Sequence, residues 1–562
     1  MTPGPHVLAP ESFGELLGGS GGFATVSALR ASERSWRLLV VRALLDASAD
    51  APAGPLPPPA EAWRLLTRAR TAAEDVVEEL LAYPAVGVWA AHTLRRLRGT
   101  ADDEVPLWVE LGHLHALAAS AAIRAGADFR TAVPVRHGWA VLPGLGAMRV
   151  AGPPGWDTAE VSAAAGRVLV AGRPLDGPDW HGLTRLSADD CALLLDDTDP
   201  YRTLRGPVPA EPVAAAPWQD LFAEAWEILR ELDAEDARAL AGGLVTLVPR
   251  PRAERFRPHS ASSGDAFGAA LASLPDDAEQ LAATLVHEFQ HNKLSAFMHL
   301  FTLYDDQGAG RRLHYAPWRD DPRPVGGLLQ GVYAFYGVTG FWRRRPHPLG
   351  RFEFALWRTQ TAHALHAIAR SDGLTDLGRR LVAELTARLE PWLAEPVPQP
   401  ALAAAELAVA DHRATWRAYH LRPDPRAVRE RAERYEPVLA PGSPARGFDT
   451  RAVLLRWLLA DPAGFDALRE DPGATVSGAR AEDVALVSGD TAGALCAFRE
   501  RILRGGGDPE TWVGLGLAAR AGGDPAAEVV LARPELVMAV HAELGADADP
   551  LETARGLVSR PA

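Results

Sequence analysis

The sequence predicts a mainly α-helical protein with a small β part, and three observations lead to that class. Ala and Leu dominate a composition that is 47% hydrophobic, while β-branched residues are confined to short tracts. The 46 prolines and 51 glycines punctuate long amphipathic runs, which is typical of helices separated by loops. At 562 residues the chain is too long for one core, so several cooperative units are expected.

The order of these patterns along the chain predicts three regions. Residues 1–210 are expected to form an N-terminal helical region with a small β subdomain at about 132–175, where short apolar runs alternate with Gly and Pro. Residues 211–395 are expected to form a helical metal-binding domain. A Pro-dense tract at 396–400 marks a boundary, so residues 396–562 are expected to form a C-terminal helical region.

Charge and cysteine content narrow the function classes. The formal net charge is -14 and the pI is about 5.7, which disfavours nucleic acid as a partner. No run reaches the roughly 20 apolar residues of a membrane span, and the first residues do not read as a secretory signal. The two cysteines, Cys191 and Cys496, are expected to be buried free thiols. These features predict a cytoplasmic protein without a membrane partner.

Two similar segments near the C-terminus lie 34 positions apart. Gly489 and Asp490 open the first, and Gly523 and Asp524 open the second. This spacing is the tetratricopeptide period, a helix pair that presents a groove to peptides or partner proteins. An ordinary helical hairpin is the alternative, because a solenoid normally needs at least three repeats.

Residues 287–291 match the pattern HExxH, which carries the clearest chemistry in the chain. Apolar residues at helical spacing predict an amphipathic helix over 279–296. On such a helix His287 and His291 project from the same face and can bind one metal ion. Glu288 lies beside them, where its carboxylate can reach a metal-bound water, and it is the candidate catalytic residue. A simple pair of stacked histidines is the alternative.

A second tract, at 315–324, combines prolines with two arginines and leads into a Gly-rich aromatic segment. Arg319 and Arg323 are candidates to clamp a carboxylate in a bidentate way. Ion pairs with the neighbouring aspartates are the plainer assignment. Arg358 is a third candidate, and a solvated helix arginine is its alternative.

Four segments together resemble the bacterial family of peptide-modification proteins that is named for its HExxH motif: residues 33–39, 261–268, 285–294 and 316–324. The resemblance is specific because the HExxH motif occurs together with Gln290, Lys293 and the Arg-rich tract. That family is encoded beside ribosomally made peptide precursors and radical-SAM maturases, including those of FxSxx-COOH systems. The resemblance therefore implies a precursor peptide as substrate and a radical-SAM maturase as a further partner.

Members of this family resemble Fe(II)- and 2-oxoglutarate-dependent oxygenases that hydroxylate a side-chain β-carbon in a peptide. Under that resemblance His287, His291 and one more protein ligand would hold Fe(II) and leave three positions for 2-oxoglutarate and dioxygen. One of the three arginines above would bind the distal carboxylate of 2-oxoglutarate. The family's next helix often offers a histidine, but residues 326–342 contain no His, Asp or Glu. The third ligand is therefore open between Gln330 and Glu353.

Two other functions fit the same residues. In a zincin-like zinc peptidase, His287, His291 and a third ligand would bind Zn, while Glu288 acts as general base on the bound water. In a degenerate metal domain, the chain would serve as a peptide-binding scaffold without turnover. All three functions share a peptide partner. The stretch 262–274 is expected to be an edge strand that faces the metal cleft and holds an extended peptide, with a packed loop as the alternative.

Overall fold

The structure is a computed structural model that describes residues 6–49, 51–52, 54–101, 103–152, 155–203, 206–432, 434–442, 444, 446–505 and 507–558. The chain divides into two compact units, Met1–Phe301 and Thr302–Ala562. Each unit has its own set of packed elements.

The described part of the first unit contains nine α-helices. They are α1 (Pro10–Leu17), α2 (Phe23–Ala47), α3 (Pro59–Ala72), α4 (Glu74–Leu81), α5 (Pro84–Leu97), α6 (Leu107–Arg124), α7 (Ala216–Leu232), α8 (Ala234–Gly243) and α9 (Ala278–Leu300). Several begin with proline, whose missing N–H costs nothing in the first turn. Gly126 follows α6 with φ +66° and donates its N–H to the carbonyl of Ile123, as is common for a glycine just after a helix.

Seven strands form an antiparallel sheet in this unit. They are β1 (Phe129–Arg136), β2 (Trp139–Leu142), β3 (Gly146–Arg149), β4 (Trp156–Ala164), β5 (Arg167–Val170), β6 (Arg173–Pro174) and β7 (Trp180–Gly182), in the order β6-β5-β4-β1-β2-β3-β7. Helix α6 packs against β1, and Leu114, Leu117, Val133 and Val161 share one buried core. The predicted small β part is therefore present, and its strands extend over 129–182.

A second, five-stranded sheet was not expected. Its strands are β8 (Thr184–Ala188), β9 (Cys191–Leu195), β10 (Thr246–Arg250), β11 (Ser260–Ala261) and β12 (Ala269–Ser273), in the order β11-β12-β10-β9-β8. Strands β9, β10 and β12 are parallel, and β8 and β11 pair antiparallel at the two edges. Every residue of β12 is buried, as expected for a parallel strand covered on both faces. Helix α9 packs against β12 and β11, so this sheet supports the predicted metal helix.

The second unit is helical throughout most of its described length. Its helices are α10 (Val325–Arg343), α11 (Pro348–Ala369), α12 (Asp376–Leu393), α13 (Gln399–His420), α14 (Pro425–Glu430), α15 (Thr450–Ala460), α16 (Pro462–Ala467), α17 (Pro472–Thr475), α18 (Ala481–Val487), α19 (Thr491–Leu503), α20 (Pro509–Ala521), α21 (Ala526–Ala532), α22 (Pro534–Leu544) and α23 (Pro550–Val558). Two short strands, β13 (Leu421–Arg422) and β14 (Val438–Leu439), pair antiparallel. Helix α13 packs against α11, α20 and α22.

The prediction of a mainly helical chain with a smaller β part is confirmed. The division into compact units falls between residues 301 and 302, and the boundaries expected after residues 210 and 395 stay predictions. The Pro-dense tract at 396–400 covers the end of the connection between α12 and α13 and the first two residues of α13, all inside the second unit. Cys191 is buried as expected, but the prediction for Cys496 is wrong because its side chain on α19 is exposed.

No helix within the described ranges combines the length and the apolar character that crossing a bilayer requires.

Candidate metal centre

Helix α9 carries the HExxH motif and is anchored at both its start and its middle. Asp277 caps the helix by accepting a hydrogen bond from the N–H of Gln280, which satisfies one of the free donors of the first turn. Leu281 and Leu285 are fully buried and Phe289 is nearly so, at the spacing that the sequence predicted. The expected helix over 279–296 is therefore confirmed, with bounds 278–300.

The Nε2 atoms of the two histidines in the motif lie next to each other. The distance between Nε2 of His287 and Nε2 of His291 is 3.0 Å, and the ring planes are inclined by 79°. Two nitrogens that each lie about 2.0–2.1 Å from one metal ion would be separated by roughly 3 Å. Without an ion, one Nε2–H can instead donate to the other Nε2. The separation of the two nitrogens is thus the one expected for two ligands of a single metal ion.

Burial keeps the first of these imidazoles neutral. Desolvation, followed by the influence of His291, lowers the pKa of His287 well below its ordinary value of 6.5. A neutral imidazole has a lone pair to offer, and that is the form that binds metals. His287 is therefore in the metal-binding protonation state at neutral pH.

Glu288 is fully buried beside this pair. Its Oε1 lies 3.9 Å from Nε2 of His287. Within the described residues neither carboxylate oxygen has a hydrogen bond of normal geometry. Burial raises the pKa of Glu288, while His291 and the hydroxyls of Ser260 and Ser262 act to lower it. A buried carboxylate is costly to ionise, and a cation beside it would lower that cost.

Other polar residues of α9 tie the helix to the rest of the first unit. The Asn292 side-chain amide donates to the carbonyls of Ala269 and Glu288, and its Oδ1 accepts from the N–H of Gly268. Gln290 donates to the carbonyl of Gly19. The Asn292 contacts hold α9 against the start of β12, a role that the sequence pattern did not indicate.

Lys293 is buried on the same helix. Its ammonium lies 5.1 Å from the ring centre of Phe289, and burial lowers its pKa to about 8. Gln290 and Lys293, two residues that the resemblance rests on, therefore both occupy buried positions on α9.

The expected edge strand over 262–274 needs a correction. Strand β11, at 260–261, forms the edge of the sheet, and β12 lies inside it between β11 and β10. A short 3-10 turn, Gly264–Ala266, separates the two strands. The sheet edge therefore lies at β11, directly before the predicted strand, and the part of the prediction that does form a strand, β12, lies inside the sheet.

In the second unit, the Arg-rich tract forms its own ion pairs. Arg319 and Arg323 both donate to the carboxylate of Asp321, at 2.7 and 3.1 Å. Burial alone would raise the pKa of Asp321, but the two guanidinium groups outweigh it and lower that pKa. The plainer assignment from sequence is therefore confirmed for Asp321. Asp320 instead accepts the N–H of Phe448 on its carboxylate.

Arg358 is buried on α11, so the alternative of a solvated helix arginine is wrong. Its Nη1 donates to the backbone carbonyls of Trp392 and Glu395, both at 2.7 Å. Desolvation lowers its pKa. These contacts join the middle of α11 to the end of α12. Binding of a 2-oxoglutarate carboxylate by Arg358, Arg319 or Arg323 stays a prediction.

The two candidates for the third ligand also lie in the second unit. Gln330 is half-buried on α10. Glu353 is buried on α11, where it accepts hydrogen bonds from Arg456 at 2.5 and 3.1 Å and from the indole of Trp357 at 2.7 Å. Phe335 stacks between the rings of Trp357 and Trp318. The identity of the third ligand therefore stays a prediction.

Fold and site together define a mainly helical protein whose first unit presents a convergent histidine pair next to a buried glutamate. No family model matches the chain, and no curated protein matches it either.

Proposed function

We propose that this chain is a peptide-modifying metalloenzyme whose metal ion is bound by His287 and His291. The observation that carries the proposal is the 3.0 Å separation of the two Nε2 atoms. The fully buried carboxyl of Glu288, whose Oε1 lies 3.9 Å from Nε2 of His287, supports it. Two nitrogen donors and a nearby carboxylate are a chemically suitable set for a first-row transition metal.

For the reaction we propose Fe(II)- and 2-oxoglutarate-dependent hydroxylation of a side-chain β-carbon in a precursor peptide. The resemblance of four segments to the HExxH peptide-modification family supports this choice. Ferrous iron, when bound with 2-oxoglutarate, supplies the chemistry that activates dioxygen. The overall change consumes the peptide C–H, dioxygen and 2-oxoglutarate, and yields the peptide C–OH, succinate and carbon dioxide.

In this proposal the chain's own residues bind and position. His287 stays neutral because of its burial, so its lone pair remains available. The hydrogen bonds of Asn292 hold α9 in place against the sheet. Strand β11 is an edge strand, and such a strand can bind an extended peptide through backbone hydrogen bonds. Ser260 and Ser262, which influence Glu288, would lie along that peptide.

A zinc peptidase is the second candidate, and the position of Glu288 favours it. The carboxyl is buried within 3.9 Å of Nε2 of His287, where it could take a proton from a metal-bound water. The zincin-like site that the HExxH motif predicts would apply to this second candidate. A scaffold without turnover is the third outcome that an experiment has to distinguish.

The C-terminal helices support a partner-binding role in the same proposal. Helix α20 packs against α19 and α21, as a tetratricopeptide-like array requires. A cavity of about 420 Å³ is lined by residues of α11, α13, α20 and α21, among them Arg413, Arg520, Glu406 and Glu528. Charges of both signs suit a peptide segment or a radical-SAM maturase.

The first prediction separates oxygenase from peptidase by the fate of the substrate. The protein is incubated with Fe(II), 2-oxoglutarate, dioxygen and the precursor peptide encoded beside it. We expect an intact peptide that is heavier by one oxygen atom, with one succinate formed per oxygen inserted. Intact-mass spectrometry and succinate analysis measure both, and omission of 2-oxoglutarate is the control. Two peptide fragments that form without 2-oxoglutarate would contradict the oxygenase and support the peptidase.

The second prediction concerns Glu288→Gln. In an oxygenase no carboxylate has to deprotonate water, so we expect turnover to fall about 10- to 100-fold, the scale of a residue that orients ligands. A general base on zinc-bound water would instead be worth about 10³-fold or more. Metal content, peptide affinity and product formation are measured on both proteins, with Glu224→Gln on the exposed face of α7 as the matched control. Complete loss of turnover with metal and peptide still bound would move the assignment to hydrolysis.

A further inference from the structure

The connection between α5 and α6 in the first unit brings together three side chains that bear metal-binding atoms. His92 lies on α5, Glu110 lies on α6, and Asp103 lies in the loop between them. Nε2 of His92 is 2.9 Å from Oε1 of Glu110 and 3.3 Å from Oδ2 of Asp103. All three donor atoms lie within 4.8 Å of one another. None of these residues belongs to the HExxH motif.

A single N–H on Nε2 of His92 cannot form good hydrogen bonds to both carboxylate oxygens at once. If Nε2 of His92 carries a proton, that proton can point well at only one of the two carboxylate oxygens, and the other oxygen faces the ring nitrogen without a good donor. If Nε2 carries a lone pair, one cation can contact all three atoms. Ligands about 2.0–2.2 Å from an ion are separated by roughly 3.0–3.4 Å when they are adjacent. Both distances from His92 lie at or close to that range.

The charges around the three donor atoms are compatible with a bound cation. The side chain of Glu110 is fully buried, and those of His92 and Asp103 are 12% and 20% exposed. Arg96 contributes one positive charge, because its Nη1 lies 2.7 Å from Oε2 of Glu110. If Nε2 of His92 carries a lone pair, the two carboxylates face one guanidinium, and an excess negative charge remains. Burial of uncompensated charge is costly, and a divalent cation would offset it.

The loop around the three donors is held in place by hydrogen bonds. Oδ1 of Asp103 accepts the N–H of Val105, and the carbonyl of Asp103 accepts a bond from Arg96. Oδ2 of Asp103 therefore remains available to face His92. Gly206 approaches the cluster with φ +100°, and a Cβ there would lie 3.3 Å from Oδ2 of Asp103 and 3.4 Å from Cε1 of His92. The glycine thus leaves room beside the donor atoms.

We propose that His92, Asp103 and Glu110 bind one divalent transition-metal ion of the zinc type, separately from the HExxH motif. An imidazole with two carboxylates suits Zn²⁺ and disfavours Mg²⁺ and Ca²⁺, which prefer oxygen ligands alone. A water molecule would complete four-fold coordination. The ion would join the end of α5, the loop and the start of α6, so its role is to stabilise the first unit.

The test measures zinc in the full-length protein after chelator treatment and dialysis against Zn²⁺. The background is His287→Ala/His291→Ala, which removes the HExxH donors and leaves the new site alone. We expect about one equivalent of zinc in this background, together with a rise of its melting temperature on zinc addition. Adding His92→Gln/Asp103→Asn should remove that zinc and abolish the rise. These two changes retain the Glu110–Arg96 ion pair, and the amide oxygen of the introduced asparagine can still accept the N–H of Val105.

Two further variants keep the outcome interpretable. His6→Gln/Asp176→Asn, at exposed positions of the same unit, is the matched control and should leave zinc binding unchanged. His92→Gln alone, in the same background, should lower zinc affinity at least 100-fold with an unchanged far-UV circular dichroism spectrum. The proposal is overturned if the folded background protein binds no zinc, or if the His92 and Asp103 changes leave its zinc content unaltered. Because the HExxH histidines are absent in this experiment, its result is independent of the proposed enzymatic function.

Discussion

The variant His287→Ala/His291→Ala should contain one equivalent less of transition metal than the wild-type protein and should have no detectable turnover. The two Nε2 atoms are 3.0 Å apart on one face of α9, so both imidazoles are expected to bind the ion. Loss of the ion removes the chemistry itself, and we expect a decrease of about 10³-fold or more in product formation. Anaerobic titration with Fe(II), followed by elemental analysis and the peptide assay, measures both quantities.

The matched control for this experiment is His363→Ala/His366→Ala, a histidine pair on α11 at a similar helical spacing. It should keep the wild-type metal content. Single variants of His287 and His291 should each lose the ion, because one imidazole alone leaves it weakly bound. Equal metal content in the wild-type protein and the His287/His291 double variant would show that the site is assigned to the wrong residues.

Replacement of Arg451 by leucine should destabilise the second unit by about 3–5 kcal/mol, the usual cost of removing one partner from a buried ion pair. Arg451 is 1% exposed. It donates to the carboxylates of Asp411 and Asp483 and to the carbonyl of Glu510. In the variant, Asp483 retains Arg446, but Asp411 loses its strongest positive neighbour.

Thermal unfolding followed by circular dichroism measures this effect, and a decrease of roughly 10 °C is expected for a unit of this size. Arg504→Leu is the control, because that arginine is 79% exposed and pairs with Glu500 at the surface. Such a pair contributes less than about 1 kcal/mol. If Arg451→Leu lowers the melting temperature no more than Arg504→Leu, the buried network does not stabilise the unit.

The pH dependence of the Arg451→Leu effect follows from Asp411. Burial already raises the pKa of Asp411 in the folded protein, and Arg451 is the largest influence that lowers it. Without Arg451 the folded-state pKa rises further above the unfolded value. An ionised carboxylate with a raised folded pKa destabilises the fold above the unfolded pKa. The loss of stability should therefore be larger at pH 8 than at pH 5, where Asp411 takes up a proton more readily.

Helix α9 could be predicted from sequence because its signals are local. The spacing of Leu281, Leu285 and Phe289 and the four-residue separation of the histidines depend only on the helical period. The strands of the first sheet were also partly recognisable, since turns with Gly separate short apolar runs. Strand β12 was not recognised as an interior strand, because its Ala-rich residues lack the β-branched side chains that mark a strand.

The partners of the charged side chains could not be predicted, because they are distant along the chain. Arg456 pairs with Glu353 across 103 positions, and Arg358 binds carbonyls 34 and 37 positions away. The sequence offered Glu353 as a metal ligand and Arg358 as a carboxylate clamp, while the folded unit gives both a close protein partner. Which charged groups meet in a core depends on the packing of elements that are far apart in the sequence. The helical or strand periodicity of a short segment carries no information about those contacts.

The sequence by itself determined the helical class of this protein, the helix that carries His287, Glu288 and His291, and the shared face of the two histidines. Only the tertiary structure decided that Glu288 is fully buried and that His92, Asp103 and Glu110 meet. The physical reason is that helical periodicity acts over a few residues. Burial and charge pairing depend instead on elements that a long chain brings together only when it folds.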